Sequence, residues 1–95
     1  MSFLSNAAQY VAHNEAFRSR AYWDVNAWRI GYGSDTRTAA QIKVKRGDFE
    51  SQIDALANLA VRLKEFDDVC RRQCPETYGA LPDRARIALV DMAYN

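Results

Sequence analysis

The sequence predicts an α+β domain, because helical and strand-like patterns of apolar residues occupy separate stretches of its 95 residues. Helical spacing covers residues 3–14, and short alternating strands with turn residues cover residues 21–44. A longer helical pattern and then an apolar helix follow. We therefore expect a single domain, with a helix and sheet lobe in 1–47, a connecting helix in 48–74 and the start of a helical lobe in 82–95.

The first helix is predicted from one apolar stripe near the amino terminus. Residues on this stripe recur at helical spacing, namely Leu4, Ala7, Ala8 and Val11. Ser2 precedes them and is a suitable N-cap, since its hydroxyl can accept a hydrogen bond from a free backbone N–H group.

A small three-stranded antiparallel sheet is expected next. Ala21–Asp24 and Trp28–Gly33 form two short strands around a Val-Asn-Ala turn. Ile42 and Val44 alternate with lysines, which predicts a third strand.

The connecting helix is predicted to begin at Asp48, a good N-cap residue that follows Gly47. Its apolar face comprises Phe49, Ile53, Leu56, Leu59, Ala60, Leu63 and Phe66. Its other face is expected to be solvated and carries Glu50, Asp54, Arg62, Lys64 and Asp67.

After a loop punctuated by Pro75, Gly79 and Pro82, a last helix is predicted from Asp83 to Asn95. It is apolar on nearly all sides, which is typical of a buried helix. Nothing after it in the sequence covers that surface, so we expect a truncated chain that self-associates through this helix.

Composition and charge exclude several function classes. Thirteen basic and twelve acidic residues nearly cancel and are scattered, so no nucleic-acid-binding patch is expected. No apolar run is long enough for a membrane span, and the amino terminus lacks the pattern of a signal peptide, which predicts synthesis in a cytoplasm. Cys70 and Cys74 with the single His13 are poor material for a zinc site; a structural role or a disulfide between the cysteines is left open.

Glu15 is the first candidate for chemistry. It continues the stripe of Val11 at a four-residue step, which turns its carboxyl group toward the edge of the core. Desolvation and the carboxyl end of the helix dipole both favour the neutral carboxyl group that a general acid needs. An equally weighted alternative is a structural ion pair with Arg18.

Asp24 is the second candidate, because it lies beside a strand face left bare by Gly31 and Gly33. A carboxylate there could orient water or stabilise positive charge on a sugar ring. From the local sequence alone, the better-supported alternative is that Asp24 only initiates the following turn.

The stretch Glu-Ala-Phe-Arg-Ser-Arg-Ala-Tyr-Trp-Asp followed by Arg-Ile-Gly-Tyr-Gly resembles the active-site segment of the phage-type lysozymes, glycoside hydrolase family twenty-four. Val-Lys-Arg-Gly-Asp resembles that family's link from sheet to long helix, and Leu-Pro-Asp-Arg-Ala-Arg-Ile-Ala-Leu-Val-Asp-Met-Ala-Tyr-Asn resembles the start of its central helix. The three segments cover nearly the whole chain in the family's order. The resemblance implies a lysozyme-like fold with an incomplete helical lobe.

It also implies a muramidase that hydrolyses the β-1,4 bond between N-acetylmuramic acid and N-acetylglucosamine in peptidoglycan without a metal or cofactor. The family's catalytic glutamate corresponds to Glu15 and its active-site aspartate to Asp24. Such an enzyme would be made in a bacterial host cytoplasm and act on the cell wall, or be carried by a virion.

Where the family usually has a threonine before Ile-Gly, this sequence has Arg29. The departure and the missing helices leave open a different class of function: a non-catalytic module that binds peptidoglycan or serves as a phage structural part. For the substrate we expect contacts from five residues of the sheet region, namely Tyr22, Arg29, Tyr32, Ser34 and Thr36.

Overall fold

The computed structural model of the protein describes residues 3–94, excepting the side chains of residues 4, 5, 93 and 94. The helices are α1 (Phe3–Asn14), α2 (Gln52–Gln73), α3 (Pro75–Ala80) and α4 (Asp83–Tyr94), and the strands are β1 (Arg18–Asp24), β2 (Ala27–Gly31), β3 (Thr36–Arg37) and β4 (Ile42–Lys43). The predicted α+β class and lysozyme-like order of elements are confirmed.

The core lies where α1, α2 and α4 pack together. Ala7 and Val11 of α1 are fully buried against Leu59 and Leu63 of α2 and Val90 of α4. The predicted stripe of the first helix therefore faces the core. The proposed Ser2 cap and the Leu4 side chain lie outside the described residues.

The single three-stranded sheet was a wrong prediction. β1 pairs with β2, and β3 pairs with β4, so two separate two-stranded antiparallel sheets form within residues 3–94. Ile42 pairs with Arg37 because the chain turns back on itself at residues 38–41, beyond the β1–β2 pair. The predicted third strand thus has a local partner and does not extend the first sheet.

The connecting helix begins later than predicted. Ser51 is its N-cap and accepts a hydrogen bond from the Asp54 backbone N–H at 3.1 Å. Asp48 instead accepts from the backbone N–H of Lys45 at 2.9 Å and from Arg37 Nε at 3.1 Å. Its carboxylate therefore closes the turn before the helix.

The buried face of α2 is rotated from the predicted one. Within α2, Ile53 is 81% exposed, whereas Asp67, expected on the solvated face, is buried. Phe49 and Glu50 precede the helix, and there too the apolar residue is 61% exposed and the acid is buried. The rotation brings Ala55 onto Gly31 of the first sheet, and this close packing fixes which side of α2 faces inward.

The segment predicted as a loop before the last helix contains α3, which begins at Pro75 because proline suits the first helical position. In α4, Val90 is fully buried while Leu89 and Met92 are exposed. Self-association through this helix stays a prediction. Among the described residues, no helix has the length and apolarity needed to cross a membrane.

Candidate active site

The β1–β2 hairpin determines which candidate residues share a face. Its turn consists of Val25 and Asn26, and the register pairs Tyr22 with Arg29. Because successive strand residues point to opposite faces, Tyr22, Asp24 and Arg29 lie together on one face of the hairpin. We call this face the carboxylate face.

Asp24 and Arg29 are held in direct contact on the carboxylate face. Arg29 Nε donates to Asp24 Oδ2 at 3.1 Å, and Arg29 Nη1 donates to the Gly33 carbonyl at 3.1 Å. The Asp24 side chain is 50% exposed and that of Arg29 is 32% exposed, so both remain accessible to a ligand.

The alternative role predicted for Asp24 was to initiate the turn of the hairpin. The backbone N–H of Asn26 donates to the backbone carbonyl of Asp24 at 2.5 Å. The Asp24 carboxylate is directed across the hairpin to Arg29 instead. The main chain of Asp24 therefore closes the turn, and its side chain is available for other chemistry.

Glu15 is the first residue beyond α1, and its backbone N–H still donates to the Val11 carbonyl at 2.9 Å. Glu15 is half-buried. Within the described part of the chain it forms no ion pair. The Arg18 guanidinium, which sequence reasoning offered as its partner, lies 4.5 Å from the centre of the Tyr22 ring.

The two glycines of the predicted bare surface differ. A Cβ atom on Gly31 would lie 2.8 Å from Glu50 Oε1 and 3.0 Å from Ala55 Cβ, so the start of α2 covers this position. A Cβ atom on Gly33 would meet nothing nearer than the Tyr22 hydroxyl at 4.0 Å. Only Gly33 leaves open space on the carboxylate face.

Glu50, which covers Gly31, is a buried acid that sequence reasoning placed in solvent. Burial raises the pKa of its carboxyl group above the ordinary 4.5, and a hydrogen bond from the Thr38 backbone opposes this only in part. Its Oε1 atom is buried and has no hydrogen-bond partner among the described residues. The sequence gives no signal for the burial of Glu50, because this burial arises only from the packing of α2 against the sheet.

Ser34 and Thr36 lie in a polar network inside the fold. Asn58 Nδ2 donates to Ser34 Oγ at 3.0 Å and to the Thr36 carbonyl at 2.9 Å, while Asn58 Oδ1 accepts from the Ala40 backbone at 2.7 Å. Ser34 and Asn58 are both buried. A substrate contact from the two hydroxyls stays a prediction, and their observed partners hold α2 against β3.

Asn58 was missed by sequence reasoning, although one signal was present. It interrupts the apolar stretch Leu-Ala-Asn-Leu-Ala at residues 56–60, where a buried amide must find partners. Tyr32 is also buried, with its hydroxyl accepting from Gln52 Nε2 at 3.1 Å and its ring 5.6 Å from that of Phe17. Its predicted contact with substrate is likewise untested.

The sequence matches the family described as "Phage lysozyme" from residue 12 to residue 95. The chain therefore belongs to the phage lysozyme family, whose members are glycoside hydrolases that act on peptidoglycan. A search of curated proteins returned no match to this chain. The matched range includes Glu15, Asp24, Arg29 and the whole hairpin.

Proposed function

We propose that this chain is a muramidase that hydrolyses the β-1,4 bond between N-acetylmuramic acid and N-acetylglucosamine. The observation that carries the proposal is an accessible carboxylate, Asp24, oriented by Arg29 on an open face within the span that matches the family. Glu15, half-buried at the end of α1, supplies the second carboxyl group.

In this mechanism Glu15 protonates the glycosidic oxygen as the bond to the sugar breaks. Asp24 stabilises the positive charge that develops on the sugar ring, or directs a water molecule to it. Arg29 fixes the position of the Asp24 carboxylate through Nε and is itself anchored on the Gly33 carbonyl. A preorganised carboxylate of this kind needs no rearrangement when charge develops.

One observation favours a second candidate, a non-catalytic module that binds peptidoglycan or forms part of a phage structure. The ion pair with Arg29 partly offsets the negative charge of Asp24, which would weaken its interaction with a cationic transition state. In that case the carboxylate face would hold the glycan without cleaving it.

The two candidates are separated by a turbidity assay on purified peptidoglycan. Glu15→Gln removes the transferable proton with little change in shape, so the lysis rate should fall by about 10²–10⁴-fold if Glu15 is the acid. Glu65→Gln, an exposed position on α2, is the matched control and should retain the parent rate. Clearing by the Glu15 variant at the parent rate would exclude Glu15 as the acid, and no clearing by the parent would favour the binding module.

The proposal extends to where the protein acts. Synthesis in a bacterial host cytoplasm, followed by action on the cell wall or carriage in a virion, suits a peptidoglycan hydrolase of a phage. Fractionation of infected or induced cells, with detection of the chain in lysate and purified particles, tests both locations.

A further inference from the structure

A second surface of the hairpin faces away from Asp24. Trp23 pairs directly with Trp28 across the two strands, and strand alternation directs both to the face opposite Asp24 and Arg29. Their rings are 5.6 Å apart and 69° from parallel, an edge-to-face contact.

This face is not simply an extension of the core. Ile30 and Val44 are already buried there, yet Trp23 remains 58% exposed beyond them. An exposed tryptophan is unfavourable in water, because most of its surface is apolar. Trp28 packs edge-to-face against Trp23 and leaves part of the Trp23 ring surface exposed to a ligand.

The two rings border a pocket of about 190 Å³, which we call the tryptophan pocket. Asn26, Asp35 and Lys43 add polar groups to its lining, and Val44 forms part of its apolar wall. Arg62 lies 3.7 Å from Asp35 Oδ1 and is the neighbouring charge from α2. The pocket therefore combines apolar ring surface with an amide, a carboxylate and an ammonium group.

We propose that the tryptophan pocket binds one sugar residue of a peptidoglycan strand, at a site separate from the carboxylate face. A pyranose ring presents an apolar face of C–H groups that can stack on Trp23, while its hydroxyl and acetamido groups need both donors and acceptors. Asn26 and Asp35 supply these, and the Lys43 ammonium group is a further donor for an acetamido carbonyl or a hydroxyl oxygen. The choice of glycan rests on the proposed function.

A second sugar site would serve an enzyme whose substrate is an insoluble polymer. The pocket and the carboxylate face are on the two sides of one hairpin. A glycan chain bound at the pocket therefore keeps the carboxylate face close to other glycosidic bonds of the polymer. Tethering of this kind raises the effective concentration of substrate without any new catalytic contact.

The sequence provides a direct reporter, since its two tryptophans are both in this pocket. The full chain carrying Glu15→Gln is titrated with chitotetraose, so that hydrolysis does not consume the probe. A saturable change in tryptophan fluorescence is expected, with the same affinity measured by calorimetry. No saturable response from the folded chain would overturn the proposal.

Trp23→Ala, made in the same background, should weaken the calorimetric affinity by about tenfold. Trp23→Tyr keeps an aromatic platform and should restore most of it, while Phe49→Ala removes an equally exposed ring elsewhere and should leave affinity unchanged. Equal affinity in the Trp23→Ala variant and the parent would place the sugar on another surface. Circular dichroism of each variant verifies that the fold is retained.

The proposed function is tested separately by the lysis rate of the parent and of Glu15→Gln. If Trp23→Ala weakens chitotetraose affinity but the parent chain does not lyse peptidoglycan, the tryptophan pocket is supported and the muramidase is contradicted. If lysis depends on Glu15 but chitotetraose affinity does not depend on Trp23, the muramidase is supported and the tryptophan pocket is contradicted.

Discussion

Two carboxylates of this protein are paired with arginine in very different surroundings. Asp24 meets Arg29 on the hairpin, where its side chain is 50% exposed. Asp67 meets Arg71 at the same distance, 3.1 Å, but its side chain is only 10% exposed and lies between α2, α3 and α4. The chemistry of the pairs is alike, so burial determines what each can do.

The Asp67 cluster is satisfied from several sides. The Tyr78 hydroxyl donates to Asp67 Oδ1, and Arg86 Nη2 lies 3.9 Å from the same atom. Burial, together with this hydrogen bond, raises the pKa of Tyr78 to about 12. The Arg86 guanidinium also lies 4.1 Å from the ring centre of Phe3, which connects the cluster to α1. A carboxylate enclosed in this way stabilises the fold and has no access to substrate.

The comparison is tested most severely by Asp67→Ala. Removal of the carboxylate leaves the Tyr78 hydroxyl without its buried acceptor and takes a counter-charge away from Arg86, so the free energy of unfolding should fall by about 3 kcal/mol. Asp68→Ala, which removes the 44% exposed partner of Lys64 on the same helix, should cost less than about 1 kcal/mol. Urea unfolding of both variants measures the difference, and equal losses would mean that burial does not distinguish the two pairs.

Asp24→Asn should affect activity strongly and stability little, in contrast to Asp67→Ala. The exposed ion pair contributes little to folding, so unfolding should change by less than about 1 kcal/mol. The lysis rate should fall by roughly 10²-fold, because the asparagine cannot stabilise developing positive charge. Pull-down on insoluble peptidoglycan, run beside the turbidity assay, should show binding close to that of the parent; parallel loss of binding and lysis would indicate a structural role for Asp24.

The smallest effect is expected at Glu50, a buried carboxyl group whose pKa is raised by burial although the positive charge of Arg37 opposes this. Since burial raises its pKa in the folded state, its ionisation opposes folding; this cost is absent below the ordinary value of 4.5 and complete above the raised pKa. Glu50→Gln should therefore melt at a higher temperature than the parent at pH 7, with the difference vanishing as the pH falls below 4.5.

Thermal melts between pH 4 and pH 7, followed by circular dichroism, measure the Glu50 effect. Glu65→Gln, which changes an exposed carboxylate on α2, is the matched control and should melt close to the parent at pH 7. A constant difference between Glu50→Gln and the parent across this range would mean that the carboxyl group does not ionise unfavourably in the folded chain.

The sequence determined the features that depend on neighbouring residues. The stripe of Ala7 and Val11 specified a helix and its buried side, because a helix brings residues three and four apart onto one face. The Val-Asn-Ala segment between two aromatic stretches specified the hairpin, although its turn is Val25–Asn26 and Ala27 belongs to β2. The motif around Glu15 identified the family. Each of these can be seen within a short window of the chain.

Only the tertiary structure determined which polar groups are buried and which strands pair. Asp67 lies on a side of α2 that is polar in sequence, and Glu50 lies just before this helix, yet both are buried where Ala55 packs closely on Gly31 and α2 meets α3 and α4. β4 could have joined the hairpin by its pattern but pairs with β3, because the chain reverses just before it. Burial depends on packing between elements distant in the sequence, and no local pattern encodes the angle at which α2 meets the sheet.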